Sequence, residues 1–152
     1  MGNSHAEQFF MSMKDAKGAL GWLEYNILKM DEALKEPSTS SGSLSVEYST
    51  FNLLTSLVCA IEWYEKEYLE ELECEERKNL TTVFDALKHF QLTYKKHDEP
   101  LKNLSVTSMH ISESSASHYT PVLIKKNEAQ PKTFLSISIA WHTKLKDKID
   151  GK

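Results

Sequence analysis

Cysteine, arginine and glycine are all scarce in this chain, and each shortage excludes something. The two cysteines, Cys59 and Cys74, lie in unlike surroundings. Cys59 sits in the apolar run Leu57-Val58-Cys59-Ala60-Ile61, where it reads as a small buried hydrophobe, and Cys74 sits among glutamates. Thiols placed so differently give neither a disulfide framework nor a zinc site, and the expected compartment is the reducing cytoplasm. Arg77 is the sole arginine. Arginine is the side chain suited to planar, two-pronged phosphate recognition, so a phosphate-gripping protein is disfavoured. No basic region followed by an apolar core opens the chain, so no signal peptide is expected. Gly2 begins a myristoylation-like start, but Ala6 stands where serine or threonine is required. No apolar run approaches the roughly 18 residues that span a bilayer, so no membrane association is expected.

What is present is an ordinary globular balance. With 152 residues, 40% hydrophobic and 26% charged, the chain suits one domain with one core. The net charge of −4 disfavours nucleic acid as a partner. The charge is uneven: Glu62, Glu65, Glu67, Glu70, Glu71, Glu73, Glu75 and Glu76 crowd one segment, while lysines gather later. Such a run is either a solvated helix face or a docking surface for a basic partner.

Hydrophobic spacing predicts a mainly α fold: an antiparallel bundle of long amphipathic helices with a small β-hairpin near the C-terminus. Phe9, Met13, Ala16, Leu20, Leu23, Ile27, Met30 and Leu34 form a heptad seam, giving a first helix over 3–36 capped by Asn3 or Ser4. Gly18 and Gly21 inside it suggest close approach of a neighbouring helix. A Ser-rich loop is expected over 37–48, beginning at Pro37. Helices two and three occupy 49–99. They are one continuous helix or two, with a break favoured between Cys74 and Asn79. Residues 103–126 alternate as a hairpin, in which Pro121 belongs at an edge or a strand start. A last helix is expected over 132–150, although Phe134 to Trp141 also alternates at period two.

Catalytic motifs are few. No glycine-rich phosphate loop, nucleophile elbow or His-Glu-x-x-His is present, and no cofactor or metal is expected. His89 and His97 fall eight residues apart and so roughly 80° apart around a helix, too splayed for one ion. One segment invites a functional reading: Leu87-Lys88-His89-Phe90-Gln91-Leu92-Thr93-Tyr94-Lys95-Lys96-His97-Asp98. Its closing lysines also simply oppose a helix macrodipole.

Over about residues 9 to 100 the order of elements resembles HEPN-domain proteins, a helical family of prokaryotic RNases, toxins and nucleotide-binding modules. In that family a late helix ends in Arg-x(4–6)-His. His97 matches the histidine, with Lys96 and Asp98 flanking it, and Phe134 and Trp141 match a later aromatic pair. The arginine would fall at Phe90, Gln91 or Leu92, and none of these replaces its charge. The resemblance therefore implies a non-catalytic relative.

Two functional expectations follow. The first is a non-enzymatic protein–protein interaction module: a regulator, inhibitor or antitoxin-like partner, in the bacterial or phage setting that the resemblance implies. Its candidate binding residues are Glu65, Tyr68, Lys95, Lys96, His97 and Asp98, beside the aromatic set Trp22, Tyr25, Trp63 and Tyr64. The long seam adds the expectation of a homodimer. The alternative is a HEPN-type RNase or nucleotide-binding protein using His97 with Tyr94. A pocket near Trp22 and Trp63 is a third reading.

Overall fold

The computed structural model describes residues 13–36, 40–88, 104–113, 116–125 and 131–152. The chain is mainly helical and carries the expected antiparallel hairpin towards its C-terminus. Helix α1 spans Ala16–Lys35. Its cap is Asp15, whose carboxylate accepts a hydrogen bond from the Gly18 N–H at 2.8 Å. Among the described residues the expected 3–36 helix is interrupted by a bend at 13–15 and is helical from Ala16 to Lys35. Asn3, Ser4 and Phe9 lie outside the described residues. Gly18 falls in the first turn, where the helix interior's penalty does not apply in full. A Cβ on Gly21 would meet nothing within 4 Å, so no helix approaches closely there.

Helix α2 spans Ser40–Tyr68 and corrects the expected loop, because the Ser-rich stretch from Ser40 is helical. Packing overrides composition here. Val46 and Thr50 are buried, and the Thr50 hydroxyl approaches Met30 Sδ at 3.6 Å and donates to the Val46 carbonyl at 2.7 Å. That contact joins the late part of α1 to the early part of α2. At the other end Asp15 lies close enough to act electrostatically on Tyr68, so the two helices run antiparallel.

Leu20, Leu23, Met30 and Leu34 of α1 meet Leu53, Leu54, Leu57, Val58, Ile61 and Tyr64 of α2 in one buried core. From Ala16 to Leu34 the heptad seam thus packs into the chain's own core. Trp63 and Tyr68 pack partly buried at the core's edge, Cys59 is half-buried, and Tyr25 is exposed.

The span 49–99, open between one helix and two, holds a break between two separate helices. α2 ends on Leu69, whose backbone is left-handed (φ 52°), and the Glu70 N–H donates to the Glu65 carbonyl at 3.3 Å. This is the six-to-one closure of a Schellman ending, usually built on glycine. The break thus spans residues 69–74, beginning earlier than the expected Cys74–Asn79 window and reaching only its first residue. Helix α3 spans Glu75–Lys88, and the Cys74 thiol caps it by accepting the Arg77 N–H at 3.4 Å. Leu80, Val83 and Ala86 bury its inner face, whereas Leu87 is exposed. Residues 89–99 of the expected third helix lie outside the described residues.

Strands β1 (Leu104–Glu113) and β2 (Ala116–Lys125) pair residue for residue along their whole length. Strand β3 (Lys132–Thr133) adds to the far side of β2 opposite Val122 and Leu123. Pro121 lies in the central strand, but one residue past the point where β3 stops. Among the described residues β2 has a neighbour on one side alone there, the setting in which a strand tolerates a residue with no N–H to donate. Helix α4 spans Phe134–Asp150, capped by Thr133, and settles the ambiguous segment as helical. Phe134, Ile137, Trp141 and Leu145 pack across both α1 and α2. No helix of the described residues is long and apolar enough to cross a membrane.

Candidate functional site

The acidic segment forms the corner between α2 and α3, and the fold holds that corner through specific bonds. Glu65 and Arg77 face each other at 2.7 Å, each side chain only 16% exposed. The second carboxylate oxygen of Glu65 accepts the Leu72 N–H at 2.9 Å, and Arg77 also donates to the Thr81 hydroxyl. The sole arginine is thus engaged in joining two helices. Beside this pair opens a groove of about 720 Å³, lined by Glu62, Glu65, Lys66, Glu71, Glu73, Arg77, Lys78, Thr81 and Thr82. Within that lining Glu73 also pairs with Lys78, at 3.6 Å.

Glu70, just past the helix end, gathers the C-terminal turn of α4. It accepts from Lys148 at 2.7 Å, from the Tyr64 hydroxyl at 2.6 Å and from Lys152 at 3.4 Å. The bond from Lys148, then that from Tyr64, lowers its carboxyl to about 2. Burial, and then the Glu70 bond, pushes the Tyr64 phenol up to about 12. Tyr68 stacks at a tilt on Tyr64, with ring centres 4.9 Å apart, and carries the Lys152 ammonium 5.4 Å from its own centre. Desolvation, then the neighbouring Glu67 charge, raises the Tyr68 phenol as well. Glu76 accepts the Trp141 indole N–H at 2.8 Å and pairs with Lys132 at 3.4 Å.

The acidic run therefore divides in two. Glu65, Glu70, Glu73 and Glu76 hold the corner together. Glu62, Glu67, Glu71 and Glu75 have no ion-pair partner among the described residues. Between Glu67 and Glu71 stands Leu69, 90% exposed.

Of the residues singled out in the sequence, Glu65 and Tyr68 lie at this corner. Glu65 serves an ion pair there, and Tyr68 a ring contact. Tyr94, Lys95, Lys96, His97 and Asp98 lie outside the described residues, as does His89. His142 is 3.9 Å from Glu24 on α1. No cluster of three or more metal-ligating side chains occurs among the described residues. Trp22 and Trp63 do not line the groove.

Sequence reasoning missed Glu70, Lys148, Lys152, Glu76 and Trp141 as members of one constellation, because residues far apart in the chain carry no local pairing signal. The acidic run and the candidates Glu65 and Tyr68 pointed to this corner, but not to the bonds that build it. No family model, curated protein or solved structure matches the chain. The HEPN likeness therefore rests on the sequence pattern alone.

Proposed function

We propose that this chain is a non-enzymatic protein–protein interaction module whose docking surface is the α2–α3 corner. The observation that carries this reading is Leu69. A left-handed conformation costs a bulky residue about 1–2 kcal/mol, and glycine would close the helix with less strain. Leu69 recovers none of that cost within the chain, because its side chain is 90% exposed. A partner that buried it would recover the cost as binding energy. Glu67 and Glu71, two residues to either side of it, favour a partner segment that is basic as well as apolar. The pairs Glu65–Arg77 and Glu70–Lys148 hold the surface rigid, so little ordering entropy opposes docking. A role as regulator, inhibitor or antitoxin-like partner follows from the HEPN resemblance.

Leu69→Gly separates docking from folding. It should raise the unfolding midpoint, by up to about 1 kcal/mol of stability, because strain is relieved. The same variant should weaken partner binding about tenfold or more. The measurement is affinity purification from the source cells with both forms, scored for protein and for nucleic acid, followed by titration of the captured protein. A stoichiometric protein partner held equally well by Leu69→Gly would remove the corner from consideration. Co-purifying RNA that the preparation cleaves, with cleavage abolished by His97→Ala, would replace this reading with the nuclease alternative using His97 and Tyr94.

A further inference from the structure

We infer that the outer edge of β1 pairs with β1 of a second copy of this chain, antiparallel and about a two-fold axis. The surface is separate from the α2–α3 corner, so the two proposals stand or fall independently. Among the described residues β1 has one paired neighbour, β2, which it meets along all ten positions with no bulge. β2 also supplies the hairpin's main contacts with α1, α2 and α4. Among the described residues nothing pairs with the other side of β1, whose backbone donors and acceptors form the straight row that an added strand would meet.

Proteins ordinarily guard such an edge with lysine, proline, a bulge or shortness. β1, Leu-Ser-Val-Thr-Ser-Met-His-Ile-Ser-Glu, has no lysine, arginine, proline or glycine and is ten residues long. The opposite side of the sheet is guarded, since β2 contains Pro121 and Lys125 and β3 has two residues. The lack of guards is therefore confined to one edge.

Charge selects the occupant. Glu113 is the one carboxylate or ammonium residue in β1, and it sits at the strand's end. Antiparallel pairing about a two-fold axis sets one residue opposite its own copy, and centred on Ser108 it places the two Glu113 residues roughly 33 Å apart. Parallel pairing would set them side by side. A strongly basic or acidic partner strand finds no row of counter-charges here, whereas the strand's own copy meets no repulsion.

The test uses the full chain. Light scattering should give twice 17.4 kDa at high concentration and fall towards one chain on dilution. Amide exchange across residues 104–113 should accelerate in step with that dissociation. Thr107→Lys with Ser108→Lys sets like charges beside the axis and should raise the dissociation constant about tenfold or more, with the far-ultraviolet helical signal retained. A single-chain mass at every concentration overturns the proposal. So does a dimer whose β1 amides exchange at a rate independent of concentration. If the double lysine variant fails to fold, the wild-type exchange profile alone decides.

Discussion

Ser138 has no surface exposure, and its hydroxyl finds no partner among the described residues; the Asn26 amide nitrogen on α1 is in the same position. A buried hydroxyl left unpaired forfeits its hydration, at a cost of about 1–3 kcal/mol. Ser138→Ala should therefore raise stability by about 1 kcal/mol in urea denaturation, and a loss of that size would mean the hydroxyl is bonded. Tyr64 is the opposite case. It is as fully buried, but its hydroxyl reaches Glu70. Nothing in the local sequence separates the two residues. Both occupy positions where a helix turns inward, and only the three-dimensional neighbour decides whether the polar atom is satisfied. At this scale Arg77 was legible as exceptional, but its engagement with Glu65 was not, because the pair spans a helix break.

At the scale of the element, the Glu65–Arg77 pair ties α2 to α3. Arg77→Met leaves a largely buried carboxylate with the Leu72 N–H as its remaining partner. The expected cost is about 2–3 kcal/mol, below the range for a fully buried pair because both groups keep some water contact. Glu65→Gln with Arg77→Met should recover part of that loss, and a double-mutant cycle measures the coupling. Additivity of the two changes would show that the pair contributes nothing of its own.

The same elements show how far sequence patterning reaches. The apolar spacing of Leu20, Leu23, Met30 and Leu34 was enough to find α1, and alternation was enough to find the hairpin, although Pro121 lies inside the central strand and not at the expected edge or strand start. The start of α2 was hidden because serine-rich composition signals a loop, whereas burial of Val46 and Thr50 holds the segment helical. The helix break was displaced because its left-handed residue is a leucine, which gives no stop signal. The corner's glutamates could be seen as a cluster, but not sorted into those that hold the fold and those that face outward.

For the whole molecule, the bonds around Glu70 set a pH window. Its folded carboxyl is lowered from 4.5 to about 2, so the stabilisation is complete above about 4.5 and is lost as pH falls towards 2. Tyr64 is raised from 10.0 to about 12, so its contribution is complete below 10 and is lost as pH rises towards 12. Stability should form a plateau between these limits. Glu70→Gln should flatten its acid shoulder, as read by thermal melts across pH, and an unchanged shoulder would assign acid unfolding to other carboxylates. The docking of α4 also orders events in time. Trp141 is made 65 residues after the Glu76 it bonds. Tyr68, the last residue of α2, precedes Trp141 by 73 residues, so at ribosomal speeds of about 5–20 residues per second the strip of α1 and α2 that α4 covers stays bare for roughly 4 to 15 s of synthesis. During that interval α1 and α2 carry an uncovered apolar strip, and the chain's exposure to aggregation is set by how fast translation reaches α4.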